Sequence, residues 1–330
     1  MRVGAALAGS AGRFRDNGRD MSGQRHRGFI DELARYAADA RWAAIIEPLA
    51  APLRVAVSGR CGVGRRTVAH ALAEAGVPVT PDADLQVHVI AEVVKPEDRA
   101  EVAAAQLPVL VVQNKADLAR EPLAALGVPS QPMVGLLAVA VLDDKMWDAL
   151  RALTARPADL RSPDSFVAGI HPVPVDVRRR LLDTLDLFGI AQALAAIRQD
   201  ASKAQVRARL RRLSRIDAVL AKLAALGAEV HYRRMLDAVA ELEALAVTDS
   251  RAAEFLSRDD TVIARMAAAV DVVEAAGLDV DRCQSPAAHL RRAVRWQRYG
   301  CGPVSGIHRA CGADIARGSL RLWSHTGGSP

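Results

Sequence analysis

The run Leu107-Pro-Val-Leu-Val-Val-Gln113, followed at once by Asn114-Lys115-Ala116-Asp117, decides how this chain is read. Seven positions with this density of apolar residues predict a strand buried on both faces, as in a parallel sheet. The four polar residues after it then stand at the strand's carboxyl end, where open α/β sheets bind their ligands. The chain holds 39 Arg and only 5 Lys, so a Lys kept at this point is less easily an accident of composition.

A second segment lies upstream, Val55-Ala-Val-Ser-Gly-Arg-Cys-Gly-Val-Gly-Arg-Arg-Thr67. It reads as a strand, a glycine-rich turn holding Gly59, Gly62 and Gly64, and a helix start. Backbone N–H groups in such a turn cradle phosphates. A following Lys and hydroxyl residue ordinarily reach the outer phosphates and Mg²⁺. Here Arg65 stands at the Lys position and Arg66 at the hydroxyl position, with Thr67 one residue late. One residue on a helix turns a side chain by about 100°, so Thr67 does not simply take over a metal. Arg neutralises phosphate, but with a planar fork in place of a compact ammonium.

Strand and helix signals alternate around these segments. Strands are expected at Leu53–Ser58, Leu85–Val94, Leu107–Gln113 and Met133–Leu142, with a short extended piece at Val77–Thr80. Helices are expected at Thr67–Ala75, from Pro96, and at Lys145–Thr154 with Asp143 or Asp144 as cap. That alternation predicts a parallel sheet covered on both faces. An amphipathic helix over 29–47 precedes it, ended by Pro48 and Pro52.

Gly59-x4-Gly64 after one strand, Asn114-Lys115-Ala116-Asp117 after another, and a further strand–helix unit at 133–154 together resemble P-loop GTPases of the translation-factor class. The resemblance covers about residues 53–154. It implies that Asp117 accepts from the guanine ring nitrogens, that Lys115 lies against the base, and that Asn114 braces the phosphate loop. It also implies GTP or GDP as ligand, and a third base loop near Val139–Leu142, whose usual Ser-Ala pair is missing. The flanking helices resemble, more weakly, actinobacterial dynamin-like GTPases. Two family elements are absent: no Asp-x-x-Gly occurs, and only Gly76–Asp84 separate the first helix from the second strand. The switch segments are therefore deleted, and Mg²⁺-dependent hydrolysis is expected to be weak or lost. Asp82, Asp84 and Glu92 are the acids nearest a metal role.

The fold expected is thus α/β, a parallel-sheet GTPase-like domain followed by an all-α domain. Residues 1–27 read as a disordered basic leader, 28–156 as the α/β domain, 157–174 as a linker, 175–316 as a helical domain and 317–330 as a flexible tail. Met21 is an alternative start. Within the helical part, Val175–Leu187, Gly189–Gln199, Val230–Ala246, Ser250–Leu256, Thr261–Ala276, Pro286–Tyr299 and Ile307–Ala316 are read as helices. Ser202-Lys-Ala-Gln205 reads as a capping box opening a helix that Gly227 stops near Leu226.

Composition bounds the function. At 330 residues with 51% hydrophobic and 25% charged residues, the chain can bury a large core. Its net charge of +6 belongs to its ends: residues 1–27 carry six Arg against two Asp, the last 14 carry two Arg and no acid, and the body is neutral. A neutral body is not that of a dedicated nucleic-acid binder. No apolar run reaches a membrane span, and a cytoplasmic location is expected. Cys61, Cys283, Cys301 and Cys311 form no Cys-x-x-Cys pair. A zinc site from Cys283, Cys301, His308 and Cys311 fits no common spacing. No Ser/His/Asp set has a local signature. Arg207, Arg209, Arg211, Arg212 and Arg215 flank an apolar side of Leu210, Leu213, Ile216, Leu220 and Leu223, and Arg178, Arg179 and Arg180 form a second basic cluster. Either surface suits a partner or anionic lipid, or is a solvated face. Three readings stand: a guanine-nucleotide binder acting through its helical half on a protein partner, a ligand-free scaffold, and a dynamin-like membrane protein.

Overall fold

The computed structural model describes residues 21–37, 39–91, 93–119 and 126–326. The chain is mostly helical with one small parallel sheet. In chain order the elements are α1 (Met21–Tyr36), α2 (Ala40–Ala50), β1 (Val55–Ser58), α3 (Arg65–Glu74), β2 (Leu85–Ala91), α4 (Pro96–Ala104), β3 (Val109–Asn114), β4 (Ser130–Pro132), α5 (Gly135–Ala138), α6 (Asp144–Ala155), α7 (Pro163–Ala168), α8 (Val175–Ile197), α9 (Lys203–Ser214), α10 (Ile216–Leu245), α11 (Ser250–Ser257), α12 (Asp259–Ala275), α13 (Pro286–Gly300) and α14 (Gly306–His325). It divides into two compact units, Pro52–Gly227 and Met1–Ala51 with Ala228–Pro330.

The first unit contains the sheet, in the order β1-β2-β3-β4 with every pair parallel. All four carboxyl ends therefore lie along one edge. β3 is buried along its whole length, as its unbroken apolar run requires. A core cluster gathers α5, α6, α7, α8 and α9 around Leu150, Phe166, Leu181 and Ile190. Asp143 caps α6 by accepting from Met146 N. The expected capping box is present on α9: Ser202 Oγ accepts from Gln205 N, and Gln205 Oε1 accepts from Ser202 N.

The second unit is all helical. Phe29, Leu33 and Trp42 of α1 and α2 are buried in one cluster with Tyr232, Phe255, Val273, Trp296 and Ile315. Tyr232 Oη donates to Asp314 at 2.9 Å, and Arg265 donates to both oxygens of the same carboxylate.

Several expectations are corrected. Residues 21–27 are helical backbone, not a disordered leader; residues 1–20 lie outside the described set. The segment 29–47 is two helices, because Asp39 caps a fresh start by accepting from Arg41 N and Trp42 N. Pro48 sits in the last turn of α2, where its missing N–H costs one bond and the helix still closes at Ala50. Met133–Leu142 is not a strand: only Ser130–Pro132 pairs with β3, and the apolar run instead buries Leu137 and Leu142 under the helices. The stretch 157–174 contains α7, capped by Ser162 and buried through Phe166. Gly227 does not stop a helix. The helix begun at Ser202 breaks at Arg215 (φ +60°) and α10 runs through Gly227, whose missing side chain makes room for Leu53. The tail is helical to His325. The units also cut the chain differently from the expected domains: α7–α9 belong with the sheet, and the helices ahead of β1 belong with the helical unit.

Phe29 is fully buried in the helical cluster. Phe29→Ala should lower stability by about 3–5 kcal/mol, read by urea denaturation. A near-wild-type midpoint would remove α1 from that core.

Candidate functional site

The site is built on Asn114, the last residue of β3. Its side chain is buried and makes two bonds to separate segments. Nδ2 donates to the carbonyl of Val63 in the glycine-rich turn at 2.9 Å, and Oδ1 accepts from Gly135 N at 2.9 Å. The turn between β1 and α3 and the turn after β4 are thus fastened to one side chain. Gly64 is required there. Its φ is +89°, and a Cβ would stand 2.2 Å from Asn114 Nδ2. Gly59 likewise has φ +128° and packs against the carbonyl of Val89. Gly62 (φ +83°) is exposed.

α3 begins at Arg65 with Gly64 as its N-cap, and no side chain caps it. The first-turn N–H groups of such a helix lack intrahelical partners and carry the positive end of the dipole. Arg65 and Arg66 are exposed on that first turn, and no ion pair engages either among the described residues. Thr67 turns its methyl toward Gly135, so its side chain packs against the braced turn.

Asn114 leads into a tight turn. Lys115 has φ +56° and is exposed, Leu118 N donates to Lys115 O, and Ala116 N donates to Met133 O. Asp117 is half-buried. Burial pushes its carboxyl above the usual range, its own N–H opposes this, the charge of Asp186 raises it further and Lys115 lowers it.

Below the turn runs a polar network that sequence reading missed. Asp98, fully buried near the start of α4, accepts from Lys95 N at 2.9 Å and from Arg60 Nε at 3.0 and 3.2 Å. Burial raises this carboxyl, but the bonds from Arg60, Lys95 N and His88 outweigh it and hold the carboxyl below its ordinary range. His88 Nε2 lies 3.2 Å from Asp98 Oδ1, and its Nδ1 lies 3.0 Å from Ser58 Oγ and 3.5 Å from Glu101 Oε1. Gln86 Nε2 donates to the same hydroxyl. Ser58, His88 and Asp98 have the order of a hydrolase triad. However, His88 has no exposure and both its ring nitrogens are engaged, so the ring has no route to a leaving group. The network is a brace that ties Arg60 to α4. A His in the apolar strand Leu85–Ala91 and an Asp at 98 were the signals for it.

The other candidates separate from the site. Asp82 and Asp84 both pair with Arg54, at the amino-terminal ends of β1 and β2, opposite the glycine-rich turn. Glu92 lies outside the described residues. The residue meeting Asn114 after β4 is Gly135, not one in 139–142. No group of three or more His, Cys, Asp or Glu among the described residues is arranged to hold a metal; Cys311 is buried and His308 Nδ1 meets Tyr299 Oη. The apolar side of the Arg-rich α9–α10 segment is inward, with Leu210, Ile216 and Leu223 buried. Arg178 is also buried, donating to the carbonyls of Val173 and Phe166. No helix among the described residues is long and apolar enough to cross a membrane.

No family model, curated protein or solved structure matches this chain.

Asn114→Ala leaves the Val63 carbonyl and the Gly135 N–H without their partner. The cost should be about 1–3 kcal/mol for each buried group. Amide exchange should accelerate at 59–66 and 133–137 together; acceleration in only one segment would contradict a shared brace.

Proposed function

We propose that this protein is a divergent guanine-nucleotide-binding protein with weak or absent GTP hydrolysis, acting through its helical unit on a protein partner. The observation that carries this reading is the double bond set of Asn114. A base-recognition motif is joined through it to a phosphate-type turn, as the resemblance to P-loop GTPases implies. A scaffold without ligand needs neither an uncapped helix start nor two exposed arginines on it. Both features fit phosphate groups, which bind readily at helix amino-termini.

The residues do not fit the usual Mg²⁺. Arg66 stands where the metal-binding hydroxyl belongs, Thr67 packs toward Gly135, and Asp82 and Asp84 are held by Arg54. Charge on bound phosphates would be met by Arg65, Arg66 and the first-turn N–H groups of α3. Asp117 would accept from the ring N–H groups of guanine, with Lys115 against the base. On the helical unit, the exposed Leu290 and Val294 lie one turn apart on α13 beside Arg291, Arg295 and Arg298. That surface suits an acidic partner helix.

Titration with fluorescent GDP, GTP and ATP analogues, with and without Mg²⁺, tests the reading. The wild type should bind guanine nucleotides selectively, and Asp117→Ala should lose both affinity and selectivity. Arg65→Ala/Arg66→Ala should weaken every nucleotide alike. No binding up to millimolar concentration would leave a ligand-free scaffold.

Acid provides a second check. Asp117 accepts ring N–H groups only when ionised, and its carboxyl titrates above the ordinary range. Binding should be complete well above that pKa and should fall as pH drops through it, at a higher pH than an exposed Asp would give. A flat profile down to the ordinary carboxylate range would contradict the role of Asp117.

A further inference from the structure

Helix α8 is bent at Asp186, whose φ of +56° and ψ of 175° lie where essentially only glycine settles. A strained non-glycine residue survives where the surroundings over-determine it, and such residues cluster at ligand sites. The bend lies close to the base-recognition turn. Gly189, three residues on, packs against Leu137, and Leu137 follows the Gly135 that Asn114 holds. Ala116 packs against the same cluster as Leu185 and Leu187. The Asp186 carboxylate is partly exposed and commits Oδ1 to Leu187 N at 2.6 Å. Oδ2 has no bonded partner among the described residues.

We propose that Asp186 supplies a second carboxylate to the base-recognition turn and selects for a purine that carries an exocyclic 2-amino group. This inference rests on the guanine-nucleotide reading. The ring edge of guanine presents three N–H donors, one on N1 and two on N2. Asp117 takes N1–H and one N2–H; the second N2–H is left for Asp186. The charge of Asp186 adds to the upward push on the Asp117 carboxyl. A ligand edge of several donors relieves that repulsion. The Ser-Ala pair of the family's third base loop is absent from this chain, and α8 offers a substitute from a different element.

The test compares GDP with inosine diphosphate, which lacks only the 2-amino group, on the full chain. Wild type, Asp186→Asn and Asp186→Gly are measured by displacement of a fluorescent GDP analogue, with melting curves to check folding. Asp186→Gly keeps the bend without backbone strain and removes the carboxylate. The wild type should prefer GDP to inosine diphosphate. Both variants should lose about tenfold in GDP affinity, the worth of one charge-assisted bond, and leave inosine diphosphate unchanged, so the preference narrows about tenfold while the share that Asp117 contributes remains. Variants that retain the wild-type preference would overturn the inference and leave the guanine reading standing. A wild type that binds neither nucleotide would overturn both.

Discussion

The two hydrogen bonds of the Asn114 side chain are the constraint on which the rest of the site depends. Two separate turns have to meet the end of β3 at one point, and each contributes a backbone group that burial would leave unsatisfied. β3 delivers Asn114 there because it pairs on both sides, with β2 up to Ala91↔Asn114 and with β4 up to Gln113↔Pro132. Shortening β4 to three residues is part of the same arrangement. The chain must leave the sheet after Pro132 for Gly135 N to reach Oδ1. The apolar run that follows is then free to bury itself under α8 and α9.

The arginines around the turn divide their work by partner. Arg60 is tied to the buried Asp98, and so fixes the turn to α4. Arg65 and Arg66, only a few residues later, have no such partner among the described residues and stand on an uncapped helix start. A chain that has nearly replaced Lys by Arg keeps the same residue type for both tasks, and the difference lies in whether a carboxylate is within reach. An Arg committed to Asp98 cannot neutralise a ligand without giving up a buried charge pair, which is costly. On the guanine-nucleotide reading, ligand charge therefore falls to Arg65 and Arg66.

Much of this was legible in the sequence, for physical reasons that also explain the rest. β1, β2 and β3 and the caps at Asp143 and Ser202 follow from local signals, and the structure contains them. Apolar periodicity could not separate a strand from a short buried helix over Met133–Leu142, where both bury the same residues. Gly227 and Pro48 are punctuation only when local geometry decides; tertiary packing against Leu53 and a last-turn position overrode them. Asn114 and the glycines around it were readable as a set, because each needs the other. Gly135 and the Arg60–Asp98–His88–Ser58 brace were not. Their partners lie between 10 and 38 positions away, and only the folded chain brings them together.

If the chain binds a nucleotide as proposed, the same brace limits what that nucleotide can do. A ligand shifts a conformational equilibrium only by the difference in its affinity for the two states. In the resembled family that difference comes from γ-phosphate contacts that order the switch segments. Here α3 passes to β2 through the short stretch Ala75–Asp84, which is tied to the end of α3 and to the start of β1: Val77 N donates to Leu72 O, Val79 bridges Val55, and Asp82 and Asp84 hold Arg54. The turn itself is fixed by Asn114 from above and by Asp98 from below. On the guanine-nucleotide reading, with no such segment among the described residues, GDP and GTP would meet nearly the same protein. On the guanine-nucleotide reading, the ligand acts as a fixed part of the fold, stabilising it by mass action, and regulation has to come from occupancy of the site instead of the phosphate count of its occupant.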